Sequence, residues 1–210
     1  MVALQRKPKS KKPVKSAKAS KPLKKPWSKM TAAERRVAVA KDVIYLLSRR
    51  KMVAEPGEYL DTSPVKSSSM SMRDILLANI NKKCKCCGIG ACFVSTARLN
   101  DKIILDHLNQ DRDGRLVTGG RDDFSRSCRG TFSEKTLSQI EAIFEVWEYD
   151  ANFPDVHGTT SAPLHSIKPA DRLRLIMRNI INNLGQFKAK ACVIEMLKFA
   201  GRLAAKKLKK

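Results

Sequence analysis

The residues best suited to chemistry cluster in one stretch, Cys84 to Asn100, where Cys84, Cys86, Cys87 and Cys92 stand among Gly88, Gly90 and small or apolar side chains. Cys84 and Cys87 have the spacing that gives a tetrahedral zinc two ligands from one turn. A complete site needs two more, and no second CxxC exists. Cys128, His107, His157 or His165 would have to complete it, at spacings that match no standard zinc knuckle. The four thiols are expected to be buried and structural, with zinc at Cys84 and Cys87, or a redox role, as the alternatives. No cofactor is expected.

Two further kinds of chemistry fit the chain poorly. Asp111, Asp113, Gly114 and Asp122 have some of the look of a calcium loop. Such a loop wants glycine at its sixth position and a bidentate glutamate at its twelfth. Here glycine falls fourth, Arg115 takes a ligand position and Asp122 falls twelfth. A Cys/His nucleophile pair is formally available, but the thiols lie on an apolar helix, where a thiolate is disfavoured. The chain has no phosphate-binding glycine loop, GxSxG elbow or HExxH, so it is not expected to be an enzyme.

The elements that would position these residues are mainly helical. From Gly88 the cysteine stretch reads as a buried helix, with Ile89, Phe93 and Thr96 in one row and Cys92, Ser95 and Leu99 beside it. Gly88, Gly90 and Ala91 would let a neighbour approach its first turn closely. Thr31 to Glu34 is a capping box that opens a helix to about Ser48, with Val37, Ala40, Ile44 and Leu47 inward and Arg49 to Lys51 at its end. Pro56-Gly57 turns between two short extended pieces, 52–55 and 58–60, which could pair as one small hairpin. Residues 62–70 read as a polar loop. A helix then starts after Ser71, with Ile75, Leu76 and Ile80 inward.

Beyond Asn100, Ile103 to Leu108 suggest a short helix or turn, and the glycines and aspartates up to Asp123 a flexible polar loop. Ser133 caps a helix with Leu137, Ile140, Phe144 and Trp147 inward. A loop over 149–168 precedes a helix from Pro169 whose stripe is Leu173, Ile176, Ile180 and Leu184, stopped by Gly185. The last helix, about 189–208, sets Val193, Leu197, Ala200 and Leu203 on one face. The expected fold is a compact, mainly α single domain over 31–187, with a disordered arm at 1–30 and a basic amphipathic helix at 188–210.

Charge decides the expected partner. The formal net charge is +22, and it is concentrated at the two ends. Residues 1–30 hold eleven Lys or Arg and no acid, and 188–210 hold eight against Glu195 alone. The body between them carries only +4. Such ends gain chiefly by displacing counterions from phosphates, so DNA or RNA is the expected partner. The expected contacts are Arg6, Lys7, Lys9, Lys11, Lys12, Lys15, Lys18, Lys21, Lys24 and Lys25, with Lys198, Arg202, Lys206 and Lys207. Trp27 is read as docking the arm's end onto the body. The alternative is a module that binds a host or viral protein, its tails serving solubility or an acidic surface.

Several classes are set aside. The irregular cysteine spacing does not resemble a secreted disulfide framework. The basic start is followed by no apolar run, so a secretory signal is not expected. No window is long and apolar enough to span a membrane, and a reducing cytoplasm is the expected compartment. The N-terminal arm also has the composition of a nuclear-import signal, which the residues alone do not distinguish from a phosphate-binding arm.

Five patterns carry a resemblance across residues 34–187. They are the opening helix (Glu34, Arg35, Arg36, Ala40, Asp42, Val43, Ile44), the Pro56-Gly57-x-Tyr59 turn and the CxxCxxGAxFVS run (Cys84, Cys87, Gly90, Ala91, Phe93, Val94, Ser95). The others are the QIExxFE helix from Gln139 to Glu145 and the RLxxIMxNIIxNxGxF segment from Arg172 to Phe187. Together they resemble a family of small proteins carried by bacteriophages and some bacteria. The resemblance implies a phage or bacterial setting, hence a cytoplasmic one, and supplies no catalytic residue. Both cationic ends lie outside it.

Overall fold

The computed structural model describes residues 25–62, 71–103, 105, 109–110, 116–117, 121–146 and 162–207. It is a mainly helical domain built around the cysteine helix. The described chain enters through a short 3-10 turn, Trp27–Lys29, and continues into α1 (Ala32–Ser48). The Thr31 capping box is formed as the sequence requires: Glu34 N–H donates to Thr31 Oγ1 at 3.2 Å and Thr31 N–H donates to Glu34 Oε2 at 2.7 Å. The buried stripe of α1 is Val39, Ala40, Val43, Leu46 and Leu47. Val37 and Ile44, expected inward, are only half-buried.

The small β-structure corrects the expected hairpin. Strand β1 (Met52–Ala54) does not pair with the segment that follows it. Instead β3 (Cys84–Cys86) lies between β1 and β2 (Asp61–Thr62), parallel to the first and antiparallel to the second. The helix α2 (Met72–Lys82) intervenes in the chain before β3. The sheet therefore sets the cysteine strand at its centre, where both edges are hydrogen-bonded.

Next comes α3 (Gly88–Leu99), buried from Gly88 to Ala97 on every side. A helix apolar all round must be enclosed, and α3 packs against α1, α2, α4 (Arg121–Ser127) and α5 (Glu134–Glu145). Its two glycines earn their positions by contact. A methyl group at Gly90 would collide with the Tyr59 carbonyl oxygen, and one at Gly88 would stand 3.1 Å from Ile140 and Phe144. Phe93 meets Phe124 edge-on with ring centroids 4.8 Å apart, which fixes α4 on the same core.

Two loop expectations change. The polar stretch before residue 123 ends in helix α4, with Asp122 and Asp123 in its first turn, and a two-residue ladder joins β4 (Asn109–Gln110) to β5 (Leu116–Val117). The loop before Pro169 contains a single helical turn, α6 (Ala162–His165). Trp147, Ile104 and most of 103–108, expected as helix or turn, lie outside the described residues, as does the side chain of Ile80.

The chain ends in α7 (Pro169–Asn182) and α8 (Ala189–Lys207). Leu173, Ile176 and Ile180 are buried as expected, but Leu184 is 82 % exposed. The helix has already stopped at Asn182, and Leu184 itself takes a left-handed φ of 52°, which swings it off the stripe. On α8 the buried face is Cys192, Val193, Met196 and Ala200, while Leu197 and Leu203 are half-buried. Helix α8 thus completes the core, packing on α5, α6 and α7, and also carries charge on its other face.

Candidate functional site

The thiols come first because their types invite chemistry. Alternation along β3 turns Cys84 and Cys86 into the core and Lys85 outward, where it pairs with Glu55 at 3.4 Å. Cys87 caps α3 through its sulfur, which accepts from Gly90 N–H at 3.5 Å. Cys128 donates to Thr96 Oγ1 at 3.9 Å, nine residues along α3 from Cys87, which is about 13 Å of helix. All six cysteines are free and buried.

Burial pushes Cys87, Cys128 and Cys192 up to about 12 and Cys92 well above its ordinary value. A hydrogen bond shared with Cys84, reinforced by burial, raises Cys86 well above its ordinary value. The same bond holds Cys84 below its own, but that sulfur is fully enclosed. These are the thiols of a core. Among the described residues, no three His, Cys, Asp or Glu side chains gather to hold a metal ion. His165 is exposed at the end of α6, whereas His107, His157, Asp111 and Asp113 lie outside the described residues.

The patterned residues that carry the resemblance are mostly fastenings between segments. Tyr59 donates its hydroxyl to Glu141 Oε1 at 2.8 Å, and Gly57 N–H donates to Glu145 Oε2 at 2.9 Å, so two carboxylates of α5 hold the Pro56-Gly57 turn. Burial raises the Glu145 carboxyl, against the pull of that N–H donor. Arg172 lies with its guanidinium 5.6 Å from the Phe144 ring centre. On α1, Asp42 accepts from Arg98 at 3.1 Å, and burial outweighs that arginine in raising the Asp42 carboxyl. Sequence reading missed the burial of Glu141, which is 2 % exposed. Its signal was its place four residues after Leu137 and three before Phe144, on the inward row.

Two arginines then bring distant parts of the chain to one corner. Arg35 donates to the Trp27 carbonyl at 3.2 Å and to the Gly130 carbonyl at 3.3 Å, and its guanidinium lies over the Trp27 ring. Arg36 donates to the carbonyls of Gly185 and Thr131. Trp27 packs against the core from its half-buried position, as the sequence suggested. The corner therefore joins the segment where the N-terminal arm meets the body to the turn from which α8 departs. Lys29, Arg129 and Lys188 are exposed beside it.

Of the expected phosphate contacts, Lys198, Arg202 and Lys206 are exposed on α8, and among the described residues no carboxylate pairs with them. Arg202 also lies over the Phe199 ring at 5.8 Å. Lys190 is also exposed on α8 and was missed, although two steps of four back from Lys198 reach it. Lys25 is engaged instead with Glu34 at 2.9 Å. Arg6 to Lys24, and the side chain of Lys207, lie outside the described residues. A cleft of about 350 Å³ between α4 and α5 is lined by Arg126 and Arg129 but also by Asp122 and Glu134, so it offers no cationic excess. No described helix is long and apolar enough to cross a membrane. Searches of family models, curated proteins and solved structures found no match to this chain.

Proposed function

We propose that this is a non-enzymatic, sequence-tolerant nucleic-acid-binding protein of a phage or bacterial cytoplasm that holds phosphates through its two cationic ends. The observation that carries this reading is the shared corner: Arg35 and Arg36 fasten the arm's root and the root of α8 to the same turn at residues 130–131. Charges far apart in the chain are thereby launched from one place, where they can act on a single polyanion. Flexible lysines put charge near phosphates without fixing geometry, which gives affinity without base readout. A protein-docking function would want an exposed apolar patch. Only Leu184 and Ile194 are exposed large apolar side chains among the described residues.

The test is fluorescence anisotropy with two unrelated oligonucleotides across salt. It compares the full chain, a form lacking residues 1–24, and Lys190, Lys198, Arg202 and Lys206 all changed to Gln. With about six phosphates engaged, affinity of the full chain falls roughly 10³-fold between 50 and 200 mM salt. Either variant flattens that slope. A slope unchanged in both would place the function elsewhere in the chain.

A further inference from the structure

The last turns of α8 stand clear of the body. Burial on this helix ends at Ala200, after which Gly201, Arg202, Ala204, Ala205 and Lys206 are exposed and Leu203 is half-buried. Steps of four place Lys190, Ile194, Lys198, Arg202 and Lys206 on its outer side, in a row about 24 Å long that winds about 160° around the helix. Such a row is a rigid counterpart to a phosphate backbone.

Gly201, unlike the other described glycines, serves neither a positive φ nor a close contact among the described residues. Gly57, Gly130 and Gly185 serve positive φ, and Gly88 and Gly90 serve close packing. Gly201 is helical, and among the described residues nothing lies within 4 Å of where its Cβ would be. A glycine there costs a helix about 1 kcal/mol relative to alanine. It lies on the outer side, four residues before Ala205 and three after Lys198. Its bare backbone leaves room for something outside the described fold to come close.

We propose that the free end of α8 enters the major groove of B-form duplex DNA, with Gly201 toward the groove floor and Lys198, Arg202 and Lys206, all to one side of it, on the phosphates of one strand. The inference rests on the nucleic-acid reading above. A helix is about 10–12 Å across with its side chains, and the major groove is about 12 Å wide, so small residues at the leading face decide how deeply it seats. Duplex RNA has a deep, narrow major groove that excludes a helix. An anionic membrane would call for bulky apolar anchors. Among the described residues of this face of α8, Ile194, at 45 % exposure, is the one exposed large apolar side chain.

The experiment compares the full-length protein with Gly201→Ala and Gly201→Leu, all with fold checked by circular dichroism and melting. The probes are a DNA duplex, an RNA duplex of the same sequence, a DNA single strand and phosphatidylserine vesicles. The expected result is preference for the DNA duplex and a graded loss, roughly tenfold for Gly201→Leu, confined to that probe. Both variants should melt no lower than the parent, because the change favours helix. Equal duplex affinity in all three proteins would overturn the groove proposal while leaving phosphate binding standing. So would binding of RNA duplex or vesicles as tight as DNA. Failure of the underlying reading is distinguishable: the unmodified protein would then bind no nucleic acid in a salt-dependent way.

Discussion

Gly185 lies against the backbone of Ala33, so closely that a methyl group at Gly185 would collide with the Ala33 carbonyl oxygen. The contact fastens the start of α1 to the turn leading into α8. Gly185 also holds a φ of 88°, a conformation that side-chain-bearing residues adopt at a cost. Gly185→Ala should therefore lose about 1–3 kcal/mol from strain alone, and more from the collision. Urea denaturation measures it, and an unchanged midpoint would mean that the two segments are not in contact.

The two ends should differ sharply when removed. Deleting residues 1–24 keeps Trp27 and the capping box, so helical circular dichroism and cooperative melting should persist. Truncation after Lys188 removes Cys192, Val193, Met196 and Ala200 from the core and should abolish cooperative melting. A well-folded 1–188 fragment would show that α8 is an appendage.

For the thiols, slow labelling is expected. With six buried sulfurs, most raised far above neutral pH, a disulfide reagent should titrate few thiols in the native protein and six after denaturation. Cys92→Ser buries a hydroxyl in an apolar site and should cost about 1–3 kcal/mol. Elemental analysis of protein prepared without chelator supplies the opposing outcome: one zinc per chain would make Cys84 and Cys87 ligands.

The Asp42–Arg98 pair predicts a pH dependence. Asp42 binds its proton more readily folded than unfolded, because burial raises its carboxyl above the ordinary value. Its contribution to stability is thus greatest at acid pH and is lost as pH rises through the folded value. Arg98→Met leaves that carboxylate buried without its partner and should cost about 3–5 kcal/mol at neutral pH. The loss should shrink in mildly acidic buffer, where Asp42 takes up a proton. Denaturant titrations at both pH values check the sign, and an equal loss at both would remove Asp42 as its source.

What the sequence by itself determined was what is settled within about four residues. The Thr31 box, the Ser133 cap, Pro169 at the start of α7 and the Gly88–Leu99 helix all follow from neighbours along the chain, and each formed as read. Charge was equally legible, since counting lysines requires no geometry. Tertiary structure decided what depends on residues far apart. The parallel pairing of β1 with β3 replaced a local hairpin because the buried Cys84–Cys86 strand offers both edges to partners that a two-residue turn cannot supply. Leu184 left its stripe because the approach of Ala33 fixes Gly185 in a tight turn that ends the helix early. The meeting of Trp27 and the Gly185 turn before α8 at one corner was invisible for the same reason. It depends on Arg35 and Arg36 reaching carbonyls at 130, 131 and 185, and no local pattern encodes contacts that only the packed helices bring within reach.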